Sequence, residues 1–158
     1  MHRRLTVVLA AVLAAGLVVS MTAFADHGKG SRKGAHGHVV TVIEHATTDA
    51  TTDTGASGDT AGDILTFAND VFDAADANKV GTDQGSCVRI VPGESFRCTW
   101  TTFLKKGQIT VEGPFYDKKN STLAITGGTG RYRNARGEME LQSREGGSKF
   151  AFVFHIVG

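Results

Sequence analysis

The residues of this 158-residue chain whose types and spacing could do chemistry are two cysteines, a set of histidines near the start and a run of aspartates after it. Cys87 lies five residues before Pro92 and Cys98 five after Gly93. A hairpin turning at Pro92-Gly93 sets the two directly opposite, within the Cα separation a disulfide tolerates. A bridge is the expectation; the other reading is a free Cys87 whose thiol faces a pocket. His27, His36 and His38 carry imidazoles that suit Cu(II), Ni(II) or Zn(II), but the glycine- and lysine-rich stretch around them fixes no ligand geometry. Asp49, Asp53 and Asp59 hint at Ca²⁺, yet the alternating ligands and closing carboxylate of a calcium loop are missing. No Ser/His/Asp set, phosphate loop or paired CxxC occurs, and GGTG (residues 127–130) is not followed by a helical pattern. Neither a metal nor a cofactor is expected.

The elements that must position these groups are strands. Residues 1–25 read as a secretory signal: His2, Arg3 and Arg4, an apolar run from Leu5 to Val19, and Ala23-Phe24-Ala25 as cleavage site. A membrane anchor is the competing reading, but the run is short for a span. Secretion would place the cysteines in an oxidising compartment. Cleavage leaves 15 of the 17 basic side chains against all 16 acidic ones, a balance that gives no reason to expect nucleic acid or anionic lipid as partner. Residues 26–38 have almost no apolar content and read as a disordered tail. Residues 47–61 form a linker that could act as a lid over a barrel mouth.

After the signal, 3.6-residue periodicity is nearly absent. Alternation and turn residues mark strands at residues 39–46, 62–74, 79–91, 95–104, around Gly107 and Ser121, at 131–144 and at 149–157. Phe150, Phe152, Phe154 and Ile156 share one face of the last strand, and Phe96, Cys98 and Trp100 one face of the fourth. Eight strands is the number at which a closed barrel holds side chains or one small ligand.

The wording of the central strands carries more. GQITVEGPF followed by LAITGGTG resembles plant allene oxide cyclases, and GGTGRYRNARG resembles the glycine turn and ARG ending of dirigent proteins. The resemblance runs from Gly62 to the C-terminus. It implies an all-β, eight-stranded antiparallel barrel over residues 39–158. It also implies an apolar small-molecule ligand whose cyclisation or stereoselective coupling the barrel steers, chiefly by conformational control. The alternative is a non-catalytic extracellular carrier or structural barrel.

By the same resemblance GDILTFAN places Leu65, Phe67 and Asn69 at pocket positions, with Asn69 the polar one. Phe96 matches an aromatic wall residue, and Phe115 stands where the cyclases have tyrosine. Trp100 joins the pocket by its parity with Phe96. VIEHATTD offers Glu44 in the first-strand motif but lacks the Ser-Pro pair that helps the cyclases hold a water. Asn69 and Glu44 are thus the catalytic candidates of an isomerase- or cyclase-like activity. The dirigent resemblance adds Asp63 and Arg136, each with a turn-bracing role as its competing reading. Both families form trimers through outer faces, so a homotrimer is expected, with Ala151, Val153 and Val157 on an apolar outer face of the last strand.

Overall fold

The computed structural model describes residues 37–157. The signal segment and most of the tail, with His27 and His36, lie outside the described residues. Ten strands follow: β1 (His38–His45), β2 (Ala50–Thr52), β3 (Ile64–Phe67), β4 (Asp70–Phe72), β5 (Lys79–Val91), β6 (Ser95–Leu104), β7 (Gly107–Tyr116), β8 (Ser121–Gly128), β9 (Arg136–Arg144) and β10 (Lys149–Val157). From β5 to β10 each strand pairs antiparallel with the next. β10 pairs with β1, β1 with β4 and β4 with β5, which closes the ring. β3 pairs with β5 beyond β4, so β3 and β4 are one strand interrupted at Ala68 and Asn69. Eight places around an antiparallel barrel result, with β2 added at the outer edge of β3.

The expected second strand is therefore broken, and the expected seventh is shorter than its pattern suggests. Residues 130–132 make a 3-10 turn rather than the start of β9. Tyr132 and Ala135 fold inward from this segment and plug one end of the barrel. Gly130 permits it: its φ is +58°, and a Cβ there would stand 2.5 Å from the Lys106 carbonyl oxygen.

Strand parity fills the half of the barrel above this closed end. Val42, Ile109, Val111, Ile125, Met139, Phe154 and Ile156 are all buried there, each contributing about 1.5–3 kcal/mol relative to exposure. Inward glycines do not open space. A Cβ at Gly85 would collide with Trp100, and one at Gly113 would press on Leu123 at 3.0 Å. Glycine on β5 is what lets the indole cross the barrel. On the outer face Ile43 and Ala151 are also buried. Asp76, in the β4–β5 loop, takes hydrogen bonds from His45 (2.6 Å) and Lys149 (2.8 Å) and clasps the loop over paired strands β1 and β10. Ala151 is thus already covered within one chain, leaving Val153 and Val157 of the outer face expected for a trimer.

Cys87 and Cys98 pair across β5 and β6 with Cα atoms 4.0 Å apart and are joined by a disulfide. The hairpin register foreseen from Pro92-Gly93 is the observed one. Thiol titration of the unfolded, unreduced protein should find no free thiol. Replacing both cysteines by serine should cost about 2–3 kcal/mol in urea melts, as loss of an 11-residue cross-link predicts.

Candidate functional site

The break between β3 and β4 builds the site. Asn69 is 1% exposed, and its backbone exchanges hydrogen bonds with Asp83 of β5. Its side-chain oxygen accepts from the backbone N–H groups of Thr47 (3.0 Å) and Thr48 (2.9 Å) and from the Thr48 hydroxyl (3.0 Å). Its Nδ2 donates to Glu44 Oε1 (2.9 Å) and Asp49 Oδ1 (2.8 Å). The chain after β1 is thereby tied to the broken strand, and Glu44 is held in one orientation. Asn69 stands behind the cavity wall, as a positioning group.

Glu44 lines the cavity. The β1–β10 register pairs it with Phe150 and turns it inward with Val40 and Val42, which settles the first-strand register that the sequence left open. Asp83 lies within hydrogen-bonding reach and is itself 1% exposed. Burial pushes the Glu44 carboxyl up to about 9, and the Asp83 charge adds to the rise. Burial also raises Asp83, to about 7, against the pull of the Asn69 backbone N–H. One proton shared between two buried carboxyls is the physical outcome. Asp83 Oδ2 is buried without a hydrogen-bond partner among the described residues, beside the raised Glu44 carboxyl.

Around this acid the walls are apolar. Leu65, Phe67, Trp100, Phe115, Phe150 and Phe152 join Glu44, Asp49, Leu141 and the disulfide around a cavity of about 40 Å³. Phe67 meets the indole edge-on, with ring centroids 6.0 Å apart. Among the described residues Trp100 Nε1 is buried without a hydrogen-bond partner, an unusual state for an indole N–H. Leu65, Phe115, Leu141 and Phe150 also belong to a mouth of about 530 Å³, so the two spaces form one funnel. Phe96 lines this mouth. Arg89 lies over the Phe96 ring at 3.5 Å and pairs with Asp59 and Asp117, bracing the linker against the rim.

The other polar candidates sit elsewhere. Asp63 is buried and accepts from Thr54 N, Thr60 N and the Thr60 hydroxyl. The Thr60 and Thr54 backbone donors hold its carboxyl below the usual range, and it pins the linker. Arg136 is exposed at the closed end, where it donates to the Ala135 carbonyl. Asp49, Asp53 and Asp59 have separate partners and do not converge. Asp83 was missed by sequence reasoning, although its parity with Cys87 on β5 was a usable signal.

A family model described as "Allene oxide cyclase barrel like domain" matches residues 40–153. Among solved structures, the chain is similar to a pyocyanin demethylase at 28% identity, with a TM-score of 0.63, over 73% of this chain and 98% of that one. It also resembles the pterocarpan synthase dirigent protein PsPTS1 at 17% identity (TM-score 0.60, 80% and 99% covered). An exo-specific intermolecular Diels-Alderase matches at 16% identity (TM-score 0.63, 77% and 98% covered). The last two likenesses are likenesses of fold.

Raised carboxyl pKa values give stability that is full below the unfolded values and is lost as pH rises through the folded ones, about 7 for Asp83 and about 9 for Glu44. Glu44→Gln, which keeps an acceptor for Asn69 and a donor for Asp83, should match wild type near pH 4 and exceed it by on the order of 1–3 kcal/mol at pH 8. Urea melts across pH check this, and a pH-independent gap would contradict the shared proton. In the same assay Asn69→Leu should cost at least about 2 kcal/mol, because it strands several buried partners. Phe67→Ala, at a half-buried cavity wall, should cost only about 1–2 kcal/mol.

Proposed function

The chain belongs to the allene oxide cyclase-like barrel family, and on that premise we propose that it binds an apolar small molecule in the funnel and steers its cyclisation or coupling. The observation that carries this reading is the buried Glu44 carboxyl, its pKa pushed up by burial, in the wall of a largely aromatic and aliphatic cavity. In its protonated form Glu44 can donate a hydrogen bond to a carbonyl or ether oxygen of a neutral ligand. In a water-poor site such donors stabilise negative charge that develops on that oxygen. The walls of the funnel hold the apolar body in one conformation. The Asn69 amide and Asp83 keep the acid aimed and protonated.

The mouth has the size of small-molecule sites, whereas the inner slot admits only a substituent. The similar structures are named for demethylation, pterocarpan synthesis and cycloaddition, which supports organic ring systems as the ligand class. The narrowness of the slot favours the second reading, a barrel that carries a ligand at its mouth without reacting it. Secretion under the N-terminal leader and assembly as a homotrimer belong to the same proposal.

Trp100 is the single tryptophan and lines the cavity, so its fluorescence reports occupancy directly. Native mass spectrometry of protein from its own host should show a bound small molecule, and re-adding it should shift Trp100 emission. Glu44→Gln should keep binding and lower turnover of that compound by about 10²-fold or more. A ligand that binds and is not turned over would leave only the carrier reading, and equal turnover by wild type and Glu44→Gln would remove Glu44 from the chemistry. Without the Ser-Pro pair, the protein should not accelerate closure of a fatty-acid allene oxide beyond background; stereopure cyclopentenone product would show that pair to be dispensable.

A further inference from the structure

The closed end of the barrel collects positive charge. The β6–β7 turn carries Lys105 and Lys106, and residues 129–136 carry Arg131, Arg133 and Arg136, with no acidic residue in either stretch. All five are exposed, and none takes part in an ion pair among the described residues. Lys79, Arg89, Arg97 and Lys149 each do. The fold itself crowds these cations: Arg131 N donates to the Lys106 carbonyl at 2.8 Å, an approach that Gly130 allows. Like charges brought together without counter-charge repel one another, and an anion between them removes that cost.

A pocket of about 180 Å³ lies here, lined by His38, Arg131, Arg133 and Asn134 over Tyr132 and Ile156. The His38 ring stacks on Tyr132 at 6.4 Å, and its Nε2 is buried without a hydrogen-bond partner. The pocket is roomy, positive and polar on one wall, and His38, which lines it, has a ring nitrogen without a partner among the described residues. We propose that it is an oxyanion site that takes a phosphate group, held by the guanidinium groups of Arg131 and Arg133 with His38 donating from Nε2. Guanidinium forks match phosphate oxygens, and the pocket's size suits a single phosphate rather than an extended polyanion. It lies at the opposite end from the funnel mouth, so an anchored phosphate leaves that mouth open. The site does not depend on the chemistry proposed for Glu44.

Calorimetric titration of the full chain with inorganic phosphate at low ionic strength, against matched chloride, tests it. Wild type should bind in the millimolar range or tighter, and Arg131→Ala/Arg133→Ala should weaken binding at least about tenfold. Lys118→Ala/Lys119→Ala, which removes as much charge near the other end, should change it little. All four residues are exposed, so unchanged melting curves should accompany both variants. Vesicles of phosphatidylglycerol or phosphatidylcholine separate the sources. Sedimentation with the anionic vesicles that is lost in the arginine variant assigns the phosphate to a lipid headgroup. Phosphate binding without vesicle binding assigns it to a soluble ligand. No phosphate binding by about 10 mM, equal loss in both variants, or vesicle binding without phosphate binding would overturn the site.

Discussion

The buried side-chain amide of Asn69 is the constraint on which the open half of the barrel depends. A strand that breaks inside a closed sheet leaves backbone groups to be satisfied, and a buried one left unpaired costs about 1–3 kcal/mol. Here the break is filled by one amide that accepts from the segment after β1 and donates to Glu44 and Asp49. Its backbone meanwhile keeps β5 in register through Asp83. Ring closure, the course of the linker and the orientation of the cavity acid are consequences of the same few hydrogen bonds. A hydrophobic residue at this position would fill the volume and satisfy none of them.

Burial then decides what that acid is. A carboxyl exposed to water would be ionised at neutral pH and would repel an apolar ligand. Among Phe152, Trp100 and Phe150, and beside a second carboxyl, Glu44 keeps its proton. The barrel thus favours the neutral form of an acidic residue through burial and a neighbouring carboxyl. Arg89, one of the cations lining the funnel mouth, is engaged at the rim by Asp59, Asp117 and the Phe96 ring. The separation of rim and floor keeps the Arg89 charge from the Glu44 carboxyl.

The two ends of the barrel have different chemistry. The open end carries both signs, with the linker aspartates and Asp117 beside Arg89, Lys118 and Lys119, whereas the closed end gathers five basic residues without an ion pair among the described residues. A net charge near zero conceals this division. Balance along the chain gave no reason to expect an anionic partner, yet the fold draws the KK turn and the RYRNAR segment into one patch. The glycines of GGTG and the start of β7 are what bring the two loops into contact.

Local pattern determined much of the architecture. Alternation in β5, β6 and β10 fixed their limits and inward faces, because one strand face must be buried whatever its neighbours. The Pro92-Gly93 turn fixed the cysteine pairing, since hairpin register follows from turn position alone. The residues shared with the cyclases and dirigent proteins carried the family and marked Leu65, Phe67 and Phe115, strand parity marked Trp100, and all four line the cavity. Tertiary structure decided the rest. GDILTFANDVF has an unbroken strand pattern, and only the demand for hydrogen-bond partners around a closed ring breaks it at Asn69. The arginine-bearing segment after GGTG alternates as a strand would, but closing the barrel end turns it inward as a plug. Glu44 and Asp83 are 39 positions apart in the chain, and no local signal tells one carboxylate that it will share a proton with another. That depends on burial and on proximity across strands, which exist only once the barrel has closed.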